Sequence, residues 1–520
     1  MRLFAPRLHR LALICVTLVL SACTTLGPDY REPDVAWLAA WQPTSPLPTR
    51  VGKAVDHAFW WELFEDPALN RLIDAAREDS PTLRLAGLRI LESRALLGIA
   101  GSTLYPQVQQ VTGAVAYVNQ QQRGGAVAQR TDSLASYEAG FALGWELDFW
   151  GRFRRGVESA DAAFFASIAN QQDVQVLLAA QVADLYYAYR TTQLRIAIAR
   201  QNATIQQRSL EITERLFKSG SNSELDVQQA RTQYLTTLST IPQLEQTLVQ
   251  VRNALGVLLG RPPGDLPELA GDYAALPAIG GAEVETIPAN LLLRRPDVRA
   301  AAWQVAAQSA QIGIAEADYY PAISLLGSIG WSGTSLDGSP NVTALGVGPS
   351  LKWNVFDYGR IENNVRVQDA RLQQLIEAYR QSVLQAAREI DDALVGLVKT
   401  GEQQVILDQA VEASRRSLEL ANSRYREGYA GFQRVLDAQR AVAGQDERSL
   451  VNQGNHVSSV IALYKALGGG WTDSNVAEWV PGPVRDSMAQ RSDWGELLTA
   501  PLPGNSPTST PPASKAPTDE

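Results

Sequence analysis

The sequence predicts an α+β membrane protein in which a two-fold internal repeat gives four transmembrane β-strands and long coiled-coil helices per chain. Three observations carry that reading. Between Ser136 and Phe149 the residues Tyr137, Phe141, Leu143, Trp145, Leu147 and Phe149 alternate with Ser136, Glu138, Gly140, Ala142, Gly144, Glu146 and Asp148. That period of two suits a barrel wall with lipid on one side and water on the other. From Arg152 no proline occurs until Pro242, and apolar residues recur every seven positions, the signature of a coiled coil. The whole arrangement then returns past the middle of the chain.

At the N-terminus, Arg2, Arg7 and Arg10 precede the largely apolar Leu11 to Leu20, which is followed by Ser21-Ala22-Cys23. Residues 1–22 read as a secretory signal, because the apolar run is too short to span a bilayer. Leu20-Ser21-Ala22-Cys23 looks like a bacterial lipobox, which makes Cys23 the expected acylated first residue. An ordinary signal cleaved nearby and an uncleaved anchor are the competing readings. By what is known of such signals, Thr24 at the next position directs the product to the outer membrane. Removing the signal takes three arginines and no acid from 46 basic and 55 acidic residues, so the net charge becomes −12 and nucleic acid is excluded as a partner. Cys15 leaves too, so no intrachain disulfide is possible. The remainder has no apolar run long enough for a membrane helix, and any bilayer crossing falls to strands.

Residues 23–65, rich in Pro and with Trp37, Trp41, Trp60 and Trp61, lack a sustained period and read as a lipidated extended segment packed along the outside of something larger. The first repeat occupies 66–261. A helical pattern starts at Asp66-Pro67, breaks at Ser80-Pro81 and closes at Tyr105-Pro106. Strands are predicted over 107–119 and 136–149 with a polar loop at 120–134. A helical tract then runs from Arg152 to about Lys218, on the order of 100 Å at about 1.5 Å per residue. Its seams are Val182, Tyr189, Ile196, Ala203, Leu210 and Phe217, and Leu178, Leu185, Thr192 and Ala199. After a turn at 219–222, a returning helix reaches Leu259. Residues 262–295 are a Pro/Gly/Ala-rich linker.

The second repeat, 296–470, matches the first at two spacings. Tyr105-Pro106 and Tyr320-Pro321 lie 215 apart, whereas Gly151-Arg152 and Gly359-Arg360, Phe217 and Tyr425, and Gly220 and Gly428 lie 208 apart. The change of seven falls between the strands, where only a loop has to differ. Strands are predicted over 322–334 and 342–355. Ile376, Val383, Ile390, Leu397, Val411, Leu418 and Tyr425 supply the second seam, with Gln404 its polar interruption. The C-terminal segment 471–520 ends in a Pro/Ser/Thr-rich tail predicted to be disordered.

Four strands cannot close a barrel, and an open edge in lipid leaves backbone groups unsatisfied at several kcal/mol each, so the chain must oligomerise. Two copies give eight strands that fill their own interior; three give twelve and a water-filled lumen. Pro349 predicts a bulge or the rim. Trp145, Phe149, Trp150, Trp353 and Phe356 fall at the strand-to-helix junctions and are the expected membrane girdle.

Taken together, Cys23-x-x-Leu26-Gly27-Pro28-Asp29-Tyr30, the two Tyr-Pro pairs, Trp145-Glu146-Leu147-Asp148-Phe149-Trp150-Gly151-Arg152, Phe356-Asp357-x-Gly359-Arg360, Arg424-Tyr425-x-x-Gly428 and Leu436-Asp437-Ala438-Gln439-Arg440 resemble the TolC-like outer-membrane factors, in particular their lipidated multidrug-efflux branch. The resemblance covers nearly all of the mature chain. It implies a homotrimer whose twelve-stranded barrel is continuous with a periplasmic α-helical barrel, lipid-anchored in the outer membrane and docked through a periplasmic adaptor onto an inner-membrane RND-type transporter to export drugs or other small toxic compounds. The alternative within this architecture is the channel of a type I protein-secretion system. By position, Asp437, Arg440 and Tyr425 match residues of the family's periplasmic gate. Asp226, the nearest acid of the first half, maps onto Arg434, which departs from the secretion-type pattern and permits an Arg434–Asp437 pair. A solvated helix end is the competing reading of these charges. A periplasmic adaptor is disfavoured by the paired hairpins and four strands. No His-Glu-x-x-His, P-loop or Gly-x-Ser-x-Gly motif suggests an enzyme; no cofactor and no metal are expected.

Overall fold

A computed structural model describes residues 25–38, 41–44, 57–122, 130–221, 223–271, 275–277, 290–334, 341–473 and 475–503. The signal, Cys23 and the end of the tail lie outside them. The chain divides into two compact units. One comprises residues to Asp34, Leu91–Ser167 and Ala301–Tyr379; the other comprises Val35–Ile90, Ile168–Ala300 and Arg380 onward. In order, the elements are α1 (Pro67–Asp79), α2 (Pro81–Ser102), β1 (Val108–Gln122), β2 (Arg130–Glu146), α3 (Arg152–Lys218), α4 (Glu224–Leu258), α5 (Asn290–Arg294), α6 (Pro296–Ala317), β3 (Ala322–Gly333), β4 (Asn341–Lys352), α7 (Arg360–Arg426), α8 (Phe432–Ala466), α9 (Val476–Trp479) and α10 (Gly482–Arg491). No helix among the described residues is long and apolar enough to cross a membrane.

In the first unit the four strands form one antiparallel sheet in the order β1-β2-β3-β4. Pairing couples odd residues to odd and even to even throughout, as in Val111 with Phe141, Phe141 with Ile329, and Ile329 with Leu345, so parity marks the face of the sheet. Two expectations change, and one of the two alternatives for Pro349 falls away. The first hairpin is longer than predicted, since β1 continues to Gln122 and β2 begins at Arg130; antiparallel backbone pairing is indifferent to the polarity that made 120–134 look like a loop. β2 and β4 stop at Glu146 and Lys352, because the residues beyond them build the turns into α3 and α7. Pro349 sits opposite Leu325 with the register unbroken, so there is no bulge. β4 is an edge strand, and Pro349 lies three residues from its end, where a missing N–H is tolerated.

A strap formed by residues 25–34 packs on the same unit. Gly27 approaches Gly313 of α6 so closely that a Cβ on Gly313 would lie 2.3 Å from the Leu26 carbonyl oxygen, and a Cβ on Gly151 would lie 2.4 Å from the Thr25 methyl. Only glycine fits both places. Arg155, 3% exposed, fastens the strap. Its Nε donates to the Leu26 carbonyl at 2.9 Å and its Nη2 to the Gly27 carbonyl at 3.1 Å and to Asp29 at 2.8 Å.

In the second unit, Trp60 and Trp61 of the segment read as extended are core, while Trp37 and Trp41 are half-buried. Residues His57–Phe64 form a 3-10 helix whose Trp60 is fully buried and stacks on Tyr464 of α8, with ring centroids 5.6 Å apart and planes within 5°. Asp66 caps α1 by accepting from Ala68 N at 2.9 Å. Along α3 the seam buries Val182, Ile196 and Ala203, and with them the polar Thr192, Gln206 and Thr213; along α7 it buries Val383, Ile390 and Leu397. Phe217, the last member of the first seam, is exposed.

Candidate functional site

In the first unit, β2, β3 and β4 run into the helices. The odd face of the sheet carries Val111, Val115, Tyr117, Phe141, Leu325, Ile329, Leu345, Val347, Leu351 and Trp353, all exposed in the single chain, with Val347 at 82%. Among the described side chains, the even face carries Gln110, Thr112, Glu138, Gly140, Glu146, Ser324, Ser328, Ser350 and Lys352 and several alanines, with Val108, Leu326 and Val342 as its larger apolar exceptions. Removing a large apolar side chain from water stabilises by about 1.5–3 kcal/mol, so water is an unfavourable neighbour for the odd face. β1 and β4 each have a free edge.

The junctions repeat in detail. Trp145 Nε1 donates to the Leu104 carbonyl at 3.3 Å and Trp353 Nε1 to the Tyr319 carbonyl at 3.0 Å; each acceptor immediately precedes the tyrosine of a Tyr-Pro pair. Trp150 donates to the Pro321 carbonyl at 2.9 Å and stacks on Tyr320 at 4.5 Å. Phe149 is half-buried and Phe356 is exposed. The Asp148 carboxylate accepts from Phe153 N and Arg154 N at 3.0 Å each, capping α3 where an anion offsets the helix dipole. Asp357 does the same for α7 through Ile361 N at 2.7 Å. Gly151 and Gly359 supply the left-handed backbone before each helix, with φ of 76° and 81°.

In the second unit, the turns after α3 and α7 close alike. Ser221 N donates to the Leu216 carbonyl and Tyr429 N to the Arg424 carbonyl, around Gly220 and Gly428 at φ of 76° and 78°. Tyr425 packs on Phe432 at 5.4 Å and against a cluster of Ala230, Val435 and Leu436. The Asp437 carboxylate accepts from Gln433 at 2.9 Å and from Arg440 at 3.4 Å, and Arg440 Nε donates to Gln233 of α4 at 2.6 Å. Of the two arginines three positions from Asp437, it is Arg440, also bonded to Gln233, that pairs with it, and the permitted Arg434–Asp437 pair is not formed; Arg434 is exposed. Asp226 stays with its own helix, exchanging a capping box with Ser223. Of the five sequence-predicted residues, Asp437 and Arg440 are in contact, Tyr425 is half-buried against the Ala230, Phe432, Val435 and Leu436 cluster, and Asp226 and Arg434 join neither.

These two surfaces belong to a chain whose sequence matches the family described as "Outer membrane efflux protein" over residues 72–261 and 287–469. The chain belongs to the outer membrane efflux protein family. Its relatives in that family include the pyoverdine export outer membrane protein OpmQ of Pseudomonas putida, 32% identical over 473 residues covering 89% of this chain and 98% of OpmQ. The toluene efflux pump outer membrane protein TtgI of Pseudomonas putida is likewise 32% identical, over 88% of this chain and 97% of TtgI. Among solved structures, the outer-membrane channel OprN superposes with a TM-score of 0.76 at 33% identity over 88% of this chain and all of that one. CusC does so with a TM-score of 0.75 at 26% identity, over 86% of this chain. The α+β architecture is thus that of an outer-membrane efflux channel, and the outer membrane is its location.

Within this efflux channel fold, sequence reasoning missed the groups that fix the frame. In the second unit Arg295, 6% exposed, donates to Asp297 at 2.9 Å, to Glu389 at 2.9 Å and to the Ala466 carbonyl at 2.8 Å. Nearby, burial and then the Asp297 charge push the Asp173 carboxyl up to about 6, against the pull of Arg295 and Lys465. No group of three or more metal-binding side chains occurs among the described residues.

Proposed function

We propose that three copies of this chain close a twelve-stranded outer-membrane barrel, anchored by an acylated Cys23, that serves as the exit channel of a tripartite efflux system for drugs or other small toxic compounds. The observation that carries this is the four-stranded sheet with one apolar face and two free edges. β1 and β4 run antiparallel to each other, so β4 of one copy meets β1 of the next in the pairing a closed barrel needs. Twelve strands leave a lumen, where eight fill theirs with side chains. Trp145, Phe149, Trp150, Trp353 and Phe356 sit at the periplasmic border of the apolar band, where amphipathic rings are favoured. The channel receives its cargo from an RND-type inner-membrane transporter through a periplasmic adaptor. Tyr425, Asp437 and Arg440 restrict its periplasmic mouth, with Asp226 and Arg434 on the flanking turns.

Purified from outer membranes, the protein is expected to run as a trimer, to carry an acyl mass on its N-terminal cysteine, and to conduct ions in planar bilayers. A monomer that conducts nothing refutes the proposal. In-cell crosslinking followed by identification of the inner-membrane partner tests the remainder: recovery of a protein-secretion ATPase in place of an RND-type transporter refutes the drug-efflux assignment.

A further inference from the structure

Where β2, β3 and β4 meet the helices, four charged side chains on the even-face side of the first unit are unaccounted for by the proposed channel. Glu146 ends β2, Lys352 ends β4 opposite Ala322, Arg152 opens α3, and Asp318 follows α6. All four line one hollow of about 130 Å³ together with Asp148 and Trp150. Within it Arg152 Nη1 lies 3.3 Å from Asp318 and 4.0 Å from Glu146, so one cation is set against two anions. Asp148 is occupied in capping α3 and in pairing with Arg154 at 3.1 Å. Lys352 is exposed and has no ion-pair partner among the described residues.

Parity fixes which way these groups face. Lys352 and Glu146 share the even face, two strands apart, roughly 10 Å across the sheet at about 4.8 Å per strand. That face is the polar one and in a closed barrel must be the lumen. Among its described side chains between Gln110 and Lys352, only Glu138, Glu146 and Lys352 are charged. Without Lys352 the Arg152–Glu146–Asp318 group carries a net −1; with it, zero.

We propose that Lys352 sets the ion selectivity of the pore: three copies of its ammonium ring the base of the barrel lumen and cancel the excess negative charge that the Arg152, Glu146 and Asp318 groups place there. The inference rests on the closed-trimer channel reading above. A narrow lumen with low-dielectric walls focuses such charges on passing ions, so anionic compounds cross a neutral collar more easily than a negative one.

The test is the reversal potential of the full-length protein in planar bilayers under a potassium chloride gradient. Lys352→Gln leaves the collar at −3 per trimer and is expected to raise the cation-over-anion permeability ratio by about twofold or more. Glu146→Gln is expected to move it the opposite way, and Lys352→Arg to leave it where the wild type has it. The differences should shrink in 1 M salt, where the Debye length falls to about 3 Å. A wild type that conducts, with a ratio unmoved in both Lys352→Gln and Glu146→Gln, overturns this inference and leaves the channel reading standing. A trimeric wild type that carries no current overturns the channel reading itself, and this inference with it. Should Lys352→Gln fail to assemble, Glu146→Gln alone decides, with an unchanged ratio as the refuting result.

Discussion

Replacing Arg155 by methionine should release the N-terminal strap while leaving α3 and the sheet in place. The guanidinium makes two bonds to backbone carbonyls, Leu26 at 2.9 Å and Gly27 at 3.1 Å, and two to carboxylates, Asp29 at 2.8 Å and Glu158 at 2.6 Å. The carboxylates differ from the carbonyls in what they lose. Asp29 is 90% exposed and Glu158 41%, so water takes over both and their pairs contribute about 1 kcal/mol at most. The two carbonyls lose a charged donor at about 1–1.5 kcal/mol each. The sum is about 3 kcal/mol, which at 1.4 kcal/mol per tenfold is about a hundredfold in the strap's opening equilibrium. Methionine keeps the apolar stem, so packing changes little. The assay is amide hydrogen exchange at Leu26, whose N–H bonds the Trp150 carbonyl at 3.2 Å, referenced to the amide of residue 155 itself, bonded to the Gly151 carbonyl at 2.8 Å. Leu26 protection should fall about a hundredfold while the reference holds. Protection at Leu26 within about threefold of wild type refutes the claim that this side chain fastens the strap.

Gly313→Ala should release the same strap, since its Cβ would meet the Leu26 carbonyl oxygen at 2.3 Å and crowd Arg155 Cγ at 2.9 Å and Nε at 3.1 Å; an unchanged Leu26 exchange rate contradicts it. Asp173 has a folded-state pKa raised from 3.8 to about 6, so its contribution to stability is fully present below pH 3.8 and is lost as pH rises through about 6. Asp173→Asn should therefore stabilise the protein at pH 7 by about 3 kcal/mol and flatten the stability profile between pH 4 and 6, as read by denaturant melts; a parallel profile speaks against the buried carboxylate. Asp437→Ala and Arg440→Ala should raise single-channel conductance if the proposed mouth is held by these residues. They should leave stability within about 0.5 kcal/mol, because the pair is exposed on both sides; unchanged conductance favours a solvated helix end.

The helices were legible because their punctuation is local. Gly151, Gly220, Gly359 and Gly428 all take positive φ, and the proline-free tracts between them can do little but continue as helix. Strand existence was equally legible from alternation, but strand length was not, since the pairing of Gln122 with Arg130 is a property of two strands and neither sequence announces it. The burial of Trp60 was not legible, because a segment without a period carries no trace of its partner, Tyr464, some four hundred positions on. Arg155 is hidden for the same reason: an arginine in the first turn of a helix reads as solvated, and the carbonyls that bury it come from residues 26 and 27. At the turn after α7, Arg434 and Arg440 both stand three positions from Asp437. Sequence offers no choice between them, and Gln233 of the neighbouring helix makes it.

The two halves are most informative where the match fails. Their backbones agree closely: Gly220 with Gly428, Gly260 with Gly468, and the two tryptophan bonds ahead of the Tyr-Pro pairs all recur with the same geometry. The helix starts that follow the turns do not. α4 opens on Ser223, whose capping box with Asp226 satisfies two orphan N–H groups and places an anion where the helix dipole favours one. α8 opens on Gly431, which offers no side chain, and carries Arg434 where α4 carries Asp226. A glycine in place of a serine cap costs only a few tenths of a kcal/mol, about 0.3, and a cation in the first turn a similar amount more. The second hairpin's turn is thus the less firmly fastened of two with the same backbone, and it is the one whose Arg440 reaches across to Gln233. In the proposed trimer, three turns with a side-chain cap stand beside three capped by glycine alone. In the proposed channel, the second hairpins are therefore expected to open at slightly lower cost than the first.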